Sequence, residues 1–145
     1  MESDRIRVVV DTNLWISSLI GKTLIGLLDI LDAPEVETIT SAELIEEILA
    51  VANRPKFRKY FPTENIQKLE SWFATTTQIT LDDIPKRCRD PKDDYLLELA
   101  VKSHSIYLVS GDDDLLSIGE IEGCRIMTIR QFVDELSMYV VNDEQ

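Results

Sequence analysis

Cysteine, histidine and basic side chains are scarce in this chain, and each scarcity removes a class of function. The only cysteines are Cys88 and Cys124, with no CxxC pair and no ligand-spaced histidine beside them. That excludes a cysteine-rich zinc site and a disulfide framework, and it suits two unpaired thiols in a reducing, cytoplasmic setting. His104 is the single histidine, and it reads as the end of a helix rather than as a ligand. No run approaches the roughly 18 apolar residues that cross a bilayer, so no membrane association is expected. The opening Met1-Glu2-Ser3-Asp4 is acidic, unlike the basic start of a secretory signal. No glycine-rich turn follows the first strand-like run, which excludes a dinucleotide-binding domain of the G-x-G-x-x-G type. Fifteen Lys and Arg stand against 27 Asp and Glu, a net charge of −12. Such a surface repels polyphosphate. Either the target is not nucleic acid, or bound cations locally reverse the field, and the second alternative demands clustered carboxylates.

What is present is enough for one compact unit. Of 145 residues, 44% are hydrophobic, sufficient for one domain over residues 1–145, with a core at about 5–137 and a polar tail. Arg5–Val10, Val36–Thr40, Gln78–Leu81, Ile106–Val109 and Arg125–Thr128 read as strands. Leu24–Leu31, Ala42–Ala52, Glu64–Ala74, Lys92–Ser103 and Arg130–Tyr139 read as helices. Ser41 and Thr63 suit N-caps, and Pro91 suits a first helical turn. Strands alternating with helices imply an α/β fold with a mostly parallel sheet covered on both faces.

In open parallel sheets, chemistry gathers beyond the carboxyl ends of strands. Asp11 follows the first strand directly, and Asp112-Asp113-Asp114 follows the fourth after Ser110-Gly111. Each also has a plain reading, Asp11 as a helix cap and the Asp run as a solvated turn. On the Ala42–Ala52 helix, Glu47 lies at the edge of the apolar stripe, whereas Glu43 and Glu46 point further towards solvent. Asp90, Asp93 and Asp94 crowd a helix start, where the dipole favours acids. Asp93 is in line with Leu97 and Ala100, Asp94 with Leu97 and Val101, and spacing does not choose between them.

Taken in order, these segments resemble the PIN-domain family. Val8-Val9-Val10-Asp11-Thr12-Asn13 is similar to its opening strand and Asp-x-Asn. Ser41 to Glu47, followed by Arg54-Pro55-Lys56-Phe57, is similar to the second helix of a subgroup described as the toxin component of toxin–antitoxin systems, the VapC-type ribonucleases. Arg89-Asp90-Pro91-Lys92-Asp93-Asp94 and Ser110-Gly111-Asp112-Asp113-Asp114 resemble its third and fourth acidic motifs. The resemblance implies an α/β/α sandwich with a parallel five-stranded sheet. It also implies a catalytic metal site of Asp11, Glu47, Asp94 and Asp112. Asp94 is preferred to Asp93 by the family spacing, in which the acid precedes an aliphatic residue, here Leu97. Asn13 and Ser110 match polar positions that orient the site, with Asp93 and Asp114 as further supporting acids. The implied activity is RNA phosphodiester hydrolysis with Mg²⁺ or Mn²⁺, which prefer the oxygen ligands of Asp and Glu. Asp11 and Asp112 would carry the main ion, and Glu47 and Asp94 would complete the shell or hold a second.

Phosphate contacts would fall to local basic segments: Arg54, Lys56, Arg58 and Lys59 form one, and Lys86, Arg87 and Arg89 another. Expected partners are RNA, an antitoxin protein, and a second copy of the chain docking through apolar surface at Trp72, Phe73 or Tyr139. Rival α/β enzymes fit less well. A haloacid-dehalogenase-type hydrolase needs an acid where Asn13 stands, and a receiver domain needs a lysine after the last strand. The competing non-enzymatic reading is an interaction module of the same fold whose acidic surface binds a basic partner.

Overall fold

The computed structural model describes residues 5–21, 23–85 and 91–143, with side chains to Met138. Cys88 and the basic segment Lys86, Arg87 and Arg89 lie outside the described residues, as does the Tyr139 side chain. The strands are β1 (Ile6–Val10), β2 (Val36–Thr40), β3 (Thr77–Gln78), β4 (Tyr107–Val109), β5 (Glu120–Ile121) and β6 (Cys124–Met127). The helices are α1 (Thr12–Ile20), α2 (Leu24–Leu31), α3 (Ala42–Ala52), α4 (Thr63–Phe73), α5 (Pro91–Lys102), α6 (Asp113–Ile118) and α7 (Ile129–Asp143).

The sheet order is β3-β2-β1-β4-β6-β5. The first five strands of that order run parallel, and β5 is antiparallel to β6. The expected sheet had five parallel strands; the sixth arises from a tight hairpin. Ile121 pairs with Cys124 across Glu122-Gly123, and both loop residues have positive φ, 44° and 88°. That is the backbone of a two-residue turn whose twist matches its strands. Every residue of β2 and β4 is buried, and all of β1 but Arg7, which requires cover on both faces of the central sheet.

The order of strands places the site. From β1 the chain winds outward through β2 to β3, then returns through α5 to β4 on the other side of β1. The direction reverses between β1 and β4, so a crevice opens beyond their carboxyl ends. Val10 pairs with Val109, and the Asp11 N–H reaches the Val109 carbonyl at 2.9 Å.

Several local expectations change. Helix α1 follows Asp11 immediately and buries Trp15, Ile16, Ser18 and Leu19. Thr63 is the first residue of α4 rather than its cap, because Pro62 holds the cap position without a side-chain bond. Trp72 and Phe73 do not form an exposed apolar surface. Phe73 is buried edge-on against Trp15, and the Trp72 indole donates to Asp32 Oδ1 at 2.6 Å. His104 does end a helix. It sits at φ 57°, with its N–H bonded to Val101 O and the Ser105 N–H to Ala100 O, the paired bonds of a Schellman stop. Cys124 is buried, and that burial pushes its thiol up to about 12, so it is an inert core residue. No helix among the described residues is long and apolar enough to cross a membrane.

Candidate active site

Asp11 is held by both of its carboxylate oxygens. As the N-cap of α1, its Oδ1 accepts the Asn13 N–H at 3.2 Å, and its Oδ2 accepts the Ser110 hydroxyl at 2.7 Å. Ser110 is buried on the loop leaving β4, and its Oγ also accepts the Asp112 N–H at 3.0 Å. One hydroxyl therefore couples the acids that leave two adjacent strands. Asp112 in turn caps α6, its Oδ1 accepting the Asp114 N–H at 3.0 Å. Asp11 thus does the capping work that its plain reading assigned, Asp112 caps a helix where the plain reading was a solvated turn, and both also line one open cleft of about 520 Å³. An ionised carboxylate has about four acceptor positions, so capping leaves room for a further ligand.

Burial pushes the Asp11 carboxyl above the usual carboxylate range, opposed by bonds from Ser110, Asn13 and Thr12 and reinforced by the charge of Asp112. Only 4% of Asp11 is exposed. A carboxylate kept at this depth beside another acid is stabilised by a cation and destabilised without one.

Much of the remaining lining comes from α3 and α5. Ser41 caps α3 through the Leu44 N–H, which starts the helix just beyond the carboxyl end of β2. Glu47 is half-buried and lines the cleft, with Lys92 Nζ 3.7 Å from its Oε1. Glu43 is exposed, as expected, and lines the cleft as well. It stands one helical turn before Glu47 and so shares its face, and the Tyr95 hydroxyl lies 3.2 Å from its Oε2. Tyr95 also bonds the Ser41 hydroxyl. Burial raises the Tyr95 phenol above its ordinary value, against the Ser41 bond and with help from the charges of Glu43 and Glu47. The phenol therefore stays protonated and ties α5 to the start of α3.

Asp93 and Asp94 are both buried, but Asp93 lines the cleft and Asp94 is not among its lining residues. The residues one and two turns beyond Asp93, namely Leu96, Leu97 and Ala100, are all buried, whereas Glu98 and Val101 on the Asp94 line are half-buried. Asn13 lines the cleft, and Asp114 is exposed away from it. Asp11, Glu43, Glu47, Asp93 and Asp112 thus share one cleft. Among the described residues, however, no three acidic, histidine or cysteine groups form a ready-made metal cage. Arg54 and Lys56 lie outside this cleft, past the end of α3.

Residues 7–114 match the PIN domain family, a span that includes every acid lining the cleft. The chain is also 30% identical, over 97% of each sequence, to the uncharacterized protein MJ1680 of Methanocaldococcus jannaschii.

Proposed function

The chain belongs to the PIN domain family, whose members are typically metal-dependent nucleases, and on that premise we propose that it is an Mg²⁺- or Mn²⁺-dependent endoribonuclease. The observation that carries this reading is the convergence of Asp11, Glu47, Asp93 and Asp112 on one cleft at the sheet's reversal point. Their oxygen donors suit a hard divalent cation. Mg²⁺ keeps several waters and needs only one or two protein carboxylates, so an open pair such as Asp11 and Asp112 is an adequate anchor without a closed cage. When bound, the cation would supply a more acidic water and offset charge at the phosphate oxygens. Ser110 holds the two anchoring acids in register, and Glu47 and Asp93 line the same cleft. The toxin role, with an antitoxin protein as cytoplasmic partner, rests on the likeness of the Ser41–Phe57 segment to that subgroup.

The test is incubation of labelled single-stranded RNA with the protein in Mg²⁺ or Mn²⁺. Cleavage that stops on adding EDTA and returns with excess metal is the expected result; no cleavage by folded, metal-supplied protein would sink the reading. Two variants probe its parts. Ser110→Ala should lower cleavage about 10- to 100-fold, as loss of a residue that orients a ligand does, while leaving the fold intact by circular dichroism. Asp93→Asn should lower the single-turnover rate by ~10²-fold or more, and Asp94→Asn by far less. The reverse order would return the third site position to Asp94.

A further inference from the structure

From Ile48 to Thr63 the chain carries Arg54, Lys56, Arg58 and Lys59 and no acid at all. This is a positive island in a chain of net charge −12. Arg7, Lys92, Lys102 and Arg125 each face a carboxylate, whereas Lys68 and Arg130 are exposed single cations with no ion pair to a described residue. The four cations of the island are exposed, and no ion pair ties any of them to another described residue. Four left open together form a surface suited to an anion.

The island is ordered and interleaved with aromatic rings. A 3₁₀ turn at Pro55–Phe57 follows α3, continued by bonds from the Tyr60 and Phe61 N–H groups to Phe57 O at 2.9 and 3.0 Å. Phe61 is buried and stacks on Phe57, 5.5 Å between centroids at 18°, anchoring the turn to the core. Tyr60 is left 44% exposed, with Lys59 Nζ 5.1 Å from its ring centre. Exposed rings among unpaired cations suit a strand whose bases are free to stack and whose phosphates are free to pair. The position suits it as well. Arg54 stands seven residues beyond the cleft residue Glu47, about 10 Å along the helix direction.

We infer that the Arg54–Tyr60 turn is a binding track for single-stranded RNA flanking the cleft, with the four cations on phosphates and Tyr60 stacked on a base. It rests on the ribonuclease reading for its substrate, yet it is tested by binding alone. Anisotropy of a fluorescein-labelled RNA of about fifteen nucleotides would be measured in EDTA, where the proposed chemistry is silent. The double variant Arg58→Ala/Lys59→Ala should lower the slope of log affinity against log salt by about 1.4. Tyr60→Ala should weaken binding about 10-fold or more, with Tyr60→Phe close to wild type. An RNA duplex of the same length should lose little on Tyr60→Ala, because its bases are already stacked.

Thermal melts and Mn²⁺ calorimetry of the variants should match wild type, which keeps the effects on the track rather than on the fold or the cleft. If wild type cleaves RNA while these variants bind it unchanged, the track is wrong and the ribonuclease reading survives. If binding depends on the turn but no cleavage occurs, the track stands and the ribonuclease reading falls. If the variants alter only self-association, seen by light scattering, the turn is a protein contact and the inference is overturned.

Discussion

Asp11→Asn should reduce RNA cleavage on the order of 10³-fold or more, and in EDTA the same variant should be more stable than wild type. Asparagine caps a helix as well as aspartate, so α1 keeps its start. What is lost is a buried negative charge. Because burial raises the Asp11 pKa in the folded protein above the model value of 3.8, the native state holds the proton more tightly than the unfolded chain does. The resulting penalty is fully present above the raised pKa and is relieved as pH falls through it towards 3.8. The stability advantage of the variant over wild type should therefore be greatest near neutral pH and shrink in acid. Urea titrations across that range measure it. An Asp11→Asn protein less stable than wild type at neutral pH would mean that the carboxylate is a structural asset rather than a strained one. A divalent cation should reverse the order by stabilising wild type alone.

Trp15→Ala should have the largest effect on stability, a loss of about 3–5 kcal/mol and a drop in Tm on the order of 10 °C. Trp15 is fully buried and packs against Trp72 and Phe73, with ring centroids 5.4 and 5.1 Å away. It joins α1 to the end of α4, and α1 in turn carries the Asp11 cap. Trp15→Phe should cost much less, under about 2 kcal/mol. The indole N–H is buried with no hydrogen-bond partner among the described residues, so its removal leaves none of them unpaired. A lower midpoint with an unchanged m-value would locate the effect in the native state. Equal losses for the two variants would show that the indole N–H has a partner.

The alternation of strands and helices, and the acids at the ends of β1 and β4, were legible because apolar runs and their punctuation carry that information. Helix α1 was not. Thr12, Asn13, Ser17 and Ser18 give it weak intrinsic preference, and it is held by the burial of Trp15, Ile16, Ser18 and Leu19, a tertiary effect. The β5 hairpin escaped notice because its turn is Glu122-Gly123, without the Asn-Gly or Asp-Gly signature of such turns. In the cleft, Glu47 could be read from the edge of its apolar stripe; the solvent-facing position of Glu43 was legible too, but not its place on the cleft rim beside Tyr95, which comes from another helix. Spacing left Asp93 and Asp94 open because Leu97 lies in line with both; the cleft lining, which includes Asp93 and not Asp94, depends on how α5 packs and is not written in the spacing. Likewise, the apolar character of Trp72 and Phe73 was plain, but whether it faced outward or inward depended on Trp15.

The most direct test of the proposed site is calorimetric titration of Mn²⁺ into RNA-free protein, wild type beside Asp11→Asn and Asp112→Asn. The account predicts saturable binding to wild type that is lost or strongly weakened in both variants. Binding that is equal in all three proteins, or absent from folded wild type, would contradict a metal centre anchored where β1 and β4 end.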